Sequence, residues 1–249
     1  MKQALVVDRE GQSVSPCSQE KALWLLARGQ AALVAEDPLT IRLNYSVKRT
    51  FYPPKPEPTR YDGQRLLFHI CCGPCATYTV QHLRGLGWDI NGFWFNPNIQ
   101  PALEYTQRRL ALTSLAEQIV LPMIWDPDSS DSLFQTAVKG HERDGERCAI
   151  CYRLRLRRTA QVAADCGIGT ISTSLLISPF QNLAAIRQIG DQVAAEYSLR
   201  FYYESLRRGY SERTRLSRLY GLYLQKYCGC LYSAQEAENR RSQRVISAA

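Results

Sequence analysis

From residue 64 onward, short apolar runs alternate with longer stretches in which apolar positions recur every three or four residues. RLLFHI is followed by TYTVQHLRGLG, DINGFWF by ALEYTQRRLALTSLAEQ, IVLPMIW by a basic stretch around AICYRLRLRRTAQVAADCG, and TISTSLLIS by NLAAIRQIGDQVAAEYS; RFYYES is the last run. Short runs that are apolar throughout suit strands buried on both faces, and recurrence at helical spacing suits helices laid over them. Helix between successive strands predicts an α/β fold, a mostly parallel sheet with helices on both faces. In open sheets of this kind ligands bind outside the carboxyl ends of the strands. The residues that fall there are Cys71 to Cys75, Asn96-Pro97-Asn98, Asp126 and Ser178-Pro179.

The start of the chain reads differently. ALVVD, AALVA and TIRLNY suit strands, and SQEKALWLLARGQ suits a helix with Ser18 as N-cap and Gly29 as its stop. Residues 1–47 are expected to form a small α+β domain, too small to bury much by itself. Residues 48–60, KRTFYPPKPEPTR, carry Pro53, Pro54, Pro56 and Pro58, which favour an extended connector. They mark a linker, with the larger domain at 61–249.

Composition narrows the class. With 45% hydrophobic and 22% charged residues, the chain suits a folded globular protein. No stretch approaches the roughly 18 apolar residues of a membrane span, so no membrane partner is expected. The opening MKQALVVDREGQ puts Asp8 and Glu10 where a signal peptide would stay apolar, which makes the protein's expected location cytoplasmic. The net charge of +8 comes mostly from arginine, the side chain suited to bidentate phosphate contact, so a polyanionic partner fits. Residues 141–158 and 200–218 carry six arginines each, and with Tyr152, Tyr202, Tyr203, Tyr210, Tyr220, Tyr223 and Tyr227 interleaved they suit a surface that grips phosphates and stacks splayed RNA bases. The competing reading places those tyrosines in the core. Neither a G-x-x-x-x-G-K-S/T nor a G-x-G-x-x-G loop is present, which argues against an ATP-driven reaction.

Nine cysteines in a long chain without an export signal suit metal ligands or redox thiols better than a disulfide framework. Cys17 and Cys166 stand alone and are read as buried packing residues. The other seven form three knots: Cys71, Cys72 and Cys75; Cys148 and Cys151; Cys228 and Cys230. A structural zinc or a four-iron cluster takes four thiolates, so three thiols are surplus. The surplus suits a second metal or a dithiol oxidised in turnover. The first knot is expected to open a helix at Ala76, whose unpaired N–H groups and dipole would favour thiolate. Arg147 and Arg153 would do the same for the second knot. His69 suits a satisfied core histidine and a site residue equally, while His82 and His141 carry no signal.

In this order and spacing, HICCGPCATY, FNPNIQPALEYTQRRL, ERCAICYRLRL, STSLLISPFQN and QKYCGCLYS resemble the cobalamin-independent epoxyqueuosine reductase family, QueH, over about residues 64–233. The resemblance implies a Rossmann-like fold related to the adenine-nucleotide hydrolases. It implies an iron–sulfur oxidoreductase that completes queuosine synthesis on the wobble nucleoside of tRNA, with an electron donor the sequence does not identify. It also implies Cys71, Cys72, Cys75, Cys148, Cys151, Cys228 and Cys230 as the metal-site set, holding a 4Fe-4S cluster, with thiols to spare for a second mononuclear iron. Reducing the epoxide to the alkene consumes two electrons and two protons and releases water; Cys75 is the candidate catalytic thiol, and Glu104 or a tyrosine the candidate proton donor. The family commonly reads EDFR and YRQ where this chain has Glu204-Ser205-Leu206-Arg207 and Tyr223-Leu224-Gln225. The first 47 residues lie outside that family and are similar to the RRXRR-type domain found ahead of HNH nucleases. Two readings from other classes stand beside this one. A different cluster-dependent tRNA-modifying enzyme would need an S-G-G-type loop where this chain has Cys-Cys-Gly-Pro-Cys; the other is a non-catalytic zinc-stabilised RNA-binding module.

Overall fold

Residues 3–46, 60–127 and 131–246 are described by the structure, a computed structural model, and they divide into two compact units on either side of residue 57. The proline-rich segment read as a linker lies outside the described residues, apart from Arg60.

In the smaller unit, β1 (Gln3–Val7), β2 (Ser13–Ser18), α1 (Gln19–Ala27), β3 (Ala31–Glu36) and β4 (Leu39–Leu43) form a sheet of order β2-β1-β4-β3 with one helix. Ser18 Oγ accepts the Lys21 N–H and so caps α1, and Gly29 follows the helix at φ +65°. The strand that the hydrophobic pattern misses is β2: its SVSPCS does not alternate, and it forms because β1 offers it an antiparallel ladder from Gln3↔Ser18 to Val7↔Ser13. Ala4, Val6, Ala22, Leu25, Ile41 and Leu43 make the unit's small core, with Cys17 half-buried against it.

The larger unit runs β5 (Arg65–His69), α2 (Gly73–Gly85), β6 (Asp89–Trp94), α3 (Ala102–Gln118), β7 (Met123–Trp125), α4 (Asp131–Val138), α5 (Glu146–Asp165), β8 (Thr170–Thr173), α6 (Leu183–Glu196), β9 (Arg200–Phe201), α7 (Tyr210–Leu219) and α8 (Leu231–Ile246). Its five strands pair in parallel in the order β7-β6-β5-β8-β9, the Rossmann-like α/β arrangement. Alternate side chains of β5 serve opposite faces. Leu67 joins Leu156 of α5 and Ile186 and Val193 of α6, while Leu66 and Phe68 join Val80 and Leu83 of α2 and Leu112 and Leu115 of α3. Each such buried side chain contributes about 1.5–3 kcal/mol. The chain leaves β5 in one direction to β6 and β7 and returns to β5's other flank at β8. That reversal opens a crevice at the carboxyl ends of β5 and β8.

Three expected strands shrink, and of TISTSLLIS only Thr170–Thr173 is strand, with a 3-10 helix from Ser174 to Ile177. IVLPMIW pairs only from Met123 because Pro122 has no N–H to give, and RFYYES pairs only over Arg200 and Phe201, at the sheet's edge. Cys166 is not a packing residue: it is exposed as the C-cap of α5, where the chain leaves the core. Among the described residues, no helix is long and apolar enough to cross a membrane.

Candidate metal centre

α2 starts at Gly73, three residues earlier than expected, with Cys72 as its N-cap: Cys72 Sγ accepts the Cys75 N–H at 3.3 Å. Pro74 fits the first turn because the N–H it lacks would have no helical partner there. Cys75 therefore stands inside the first turn of the helix. Cys71, leaving β5, gives its N–H to Ser174 Oγ at 3.0 Å and accepts from that hydroxyl at 3.4 Å, which joins the ends of β5 and β8. The sulfurs of Cys71, Cys72 and Cys75 lie within 4.8 Å of one another, all buried.

The other knots arrive from α5 and from the segment ahead of α8. Cys71, Cys75, Cys148, Cys228 and Cys230 line one cavity of about 450 Å³. Cys72 stands behind it, 3.8 Å from Cys71 at the sulfurs, and Cys151 packs with Cys230, Phe134 and Val138. Buried Arg108 holds the last knot in place by donating to the carbonyls of Cys228 at 2.8 Å and Tyr227 at 3.0 Å. Between the two cysteines, Gly229 has φ +148°, and a Cβ there would come within 2.9 Å of Asn98 Nδ2. Only glycine suits both the backbone angle and the space. Gln181 completes the wall: it accepts from the Tyr152 hydroxyl at 2.8 Å and donates to Cys228 Sγ at 3.3 Å.

Burial decides the electrostatics. It pushes Cys148 up to about 11, Cys151 up to about 12, and Cys72 well above an ordinary thiol. Cys75 rises to about 12, chiefly through its hydrogen bond with Cys71, while hydrogen bonding from Cys72 and Cys75 lowers Cys71. The expected lowering of the second knot by its neighbouring arginines does not occur. Arg147 is engaged by Glu236 and Asp144, and Arg153 by Gln192 and Glu196. Crowded buried sulfurs repel one another as thiolates, and a thiophilic cation between them removes that repulsion. The donor set fits a thiolate-bound metal or iron–sulfur cluster.

Several residues that sequence reasoning passed over serve this site. Arg155, fully buried on α5, donates to Asn96 Oδ1 at 2.7 Å and His69 Nε2 at 3.3 Å and reaches Cys151 Sγ at 3.8 Å. Gln225, in the last position of the segment compared with YRQ, donates to Cys72 Sγ at 2.9 Å and Cys75 Sγ at 3.5 Å. Its match to the family pattern was the available signal. Arg213 and Lys226 line the cavity, as do Arg240 and Arg241 of α8.

The remaining candidates fall into place around these. His69 is a core histidine, lowered to about 3 first by burial and then by the charge of Arg155, with Nδ1 facing Thr173 Oγ1 at 2.8 Å. Asn96 also ties Ile70's carbonyl at 2.9 Å, and Asp126 pairs with Arg158 at 2.6 Å. Glu104 is buried behind the cavity wall, ion-paired with Arg108 and accepting from the Tyr223 hydroxyl at 2.6 Å. Glu204 is held by His82, Tyr202 and Arg208. His141 lies exposed near Glu146. Of the tyrosines, Tyr210 and Tyr227 line the cavity and Tyr152 is core.

Comparison with known proteins follows the same division of the chain. The family model described as Epoxyqueuosine reductase QueH matches residues 66–236, and the one described as RRXRR protein matches residues 4–56. Epoxyqueuosine reductase QueH of Thermotoga maritima is 37% identical over 185 residues, 72% of this chain and 94% of that protein. Its counterpart from Dehalococcoides mccartyi is 35% identical over 172 residues, 69% of this chain and 93% of that protein. Among solved structures, the U34-tRNA thiolase NcsA from Methanococcus maripaludis with its 4Fe-4S cluster aligns at a TM-score of 0.43 and 12% identity, covering 74% of this chain and 67% of that one.

Proposed function

The chain belongs to the epoxyqueuosine reductase QueH family, and on that premise we propose that it removes the epoxide oxygen of epoxyqueuosine in tRNA to leave the alkene of queuosine. In each turnover two electrons and two protons enter, both carbon–oxygen bonds of the epoxide break, a carbon–carbon double bond forms, and the oxygen leaves as water. The observation that carries this reading is the convergence of three cysteine knots on one basic cavity at the crevice between β5 and β8. Cys71, Cys72, Cys75, Cys148, Cys151, Cys228 and Cys230 are the residues that would hold an iron–sulfur cluster, of the 4Fe-4S type, together with a second iron. Such a centre, when bound, supplies electrons singly and a Lewis-acidic position for the departing oxygen. The electrons come from an external donor.

The protein's own groups bind and orient. Arg213, Lys226, Arg240 and Arg241 give the cavity the positive charge that phosphates seek. Cys75, which lines the cavity with Cys71, is the candidate catalytic thiol. Glu104 acts as a positioning residue, because it fixes the Arg108 that carries the Tyr227 and Cys228 carbonyls. The reductase domain spans 61–249, and 1–47 is an appended α+β domain joined to it by 48–60.

The test is anaerobic reconstitution, iron and sulfide determination, and a nucleoside digest of epoxyqueuosine-containing tRNA incubated with the reduced protein. At least about four irons per chain are expected, with queuosine as product and no turnover in C148S or C228S. One zinc per chain, no iron and unchanged epoxide would reject the reading.

A further inference from the structure

At the rim of the thiol cavity the Phe180 ring is 81% exposed. A lone exposed apolar side chain is ordinary. This one, however, is held out by a clamp. Arg207 donates to the carbonyls of Ser178 at 3.2 Å, Pro179 at 3.4 Å and Gln181 at 2.6 Å, and the Phe180 N–H goes to Ser178 Oγ at 3.2 Å.

The ring also leads somewhere. It meets Tyr210 edge to face with centroids 6.1 Å apart, and the Arg213 guanidinium lies 4.4 Å from the Tyr210 centroid. Tyr210 and Arg213 share the cavity wall with Cys71 and Cys75, and the residue after Phe180, Gln181, touches Cys228 Sγ. Aromatic face, cation and thiols thus follow one another inward from the rim. Lys226, Arg240 and Arg241 stand on the same cavity and have no carboxylate partner among the described residues. A fixed, solvent-facing ring beside unpaired cations is how proteins hold single-stranded RNA, stacking a base and neutralising its phosphate.

We propose that Phe180 is a stacking platform for the anticodon-loop base next to the modified nucleoside, parting the two so that the modified base enters the cavity. This rests on the tRNA reading above and adds the residue that opens the loop.

The experiment is fluorescence anisotropy of the iron-reconstituted full chain with two RNA hairpins: an anticodon stem–loop, and the same stem with abasic sites in place of the bases flanking the wobble position. F180A is expected to weaken binding of the first hairpin about tenfold and leave binding of the abasic one unchanged. F180W should restore the first to within about twofold of wild type. Iron content and melting temperature of both variants are measured alongside, so that a folding defect is recognised. Equal binding of the intact hairpin by wild type and F180A, at equal iron content, overturns the platform and leaves the tRNA reading standing. Failure of the wild type to bind either hairpin overturns both.

Discussion

Arg155 donates to Asn96 Oδ1 at 2.7 Å in a space closed to solvent, and its cation is paired with no carboxylate among the described residues. Burial alone would lower the guanidinium, but the nearby charges of Cys151, Cys71 and Cys228 raise it. Its counter-charge is therefore the thiolate set, which is fully negative only when the sulfurs hold a metal.

Arg155→Met should then destabilise the metal-bound protein by about 3–5 kcal/mol, the cost of leaving buried charge unmatched. The metal-free protein should lose less, about 1–3 kcal/mol, the cost of the orphaned Asn96 and His69. Arg155→Lys keeps the charge and should recover part of the difference. Anaerobic thermal melts with and without iron measure both; equal losses in the two states would assign Arg155 to packing alone.

Much of this fold was legible because the central strands are buried on both faces, so the LLF of RLLFHI announces itself as an apolar run with no polar face. β2 was not, since nothing in SVSPCS alternates and only the ladder with β1 defines it. At the site, the knots showed through their spacing. Helical spacing placed the arginines of RLRLRR on a basic helix, but did not tell that Arg155 points inward. The bond from Gln225 to Cys72 joins residues 153 positions apart, beyond any local pattern. Helix dipole and neighbouring arginines predicted low thiol pKa values for the first two knots; the depth of burial, which no short window reveals, reversed that for Cys72, Cys148 and Cys151, and the hydrogen bond with Cys71 reversed it for Cys75.

Gly73, between Cys72 and Cys75 of the CCGPC knot, has a specific steric task. A Cβ there would meet the Ala111 carbonyl oxygen at 2.8 Å and its carbon at 3.0 Å, both backbone atoms of α3. Gly73→Ala must push the start of α2 off α3, and Cys72 and Cys75 move with it. A loss of about 1–3 kcal/mol is expected, together with reduced iron uptake. Gly85→Ala, whose Cβ meets nothing within 4 Å, is the control for helix propensity. Wild-type stability and iron content in Gly73→Ala would rule the account out.

Glu204 gives a pH-dependent contribution of known sign. Burial pushes its carboxyl up, but hydrogen bonds from His82 and Tyr202, with the charges of His82 and Arg208, outweigh burial and hold it below the ordinary value. A carboxyl depressed in the folded state stabilises fully above its unfolded pKa of about 4.3 and loses that contribution as pH falls through the folded value. Glu204→Gln should be less stable than wild type at neutral pH by about 1.5–3 kcal/mol, and the gap should close in acid. Urea denaturation across the acid range measures it; a gap that stays constant as pH falls would contradict the assignment.

Glu104 invites the opposite kind of test, because its chemistry and its position suggest different roles. A buried carboxyl near a redox cavity is an obvious proton donor, yet Arg108 and Tyr223 both donate to it, and Arg108 carries the carbonyls of Tyr227 and Cys228. Glu104→Gln keeps the shape and removes the charge that Arg108 needs, leaving a buried cation unpaired at a cost of about 3–5 kcal/mol. The segment bearing Cys228 and Cys230 should loosen, iron retention should fall, and turnover per bound iron should persist. A proton donor would behave in reverse, with iron content and melting temperature at wild-type values and turnover lost. Measuring turnover against iron content in the same preparations separates the two, and the geometry predicts the first.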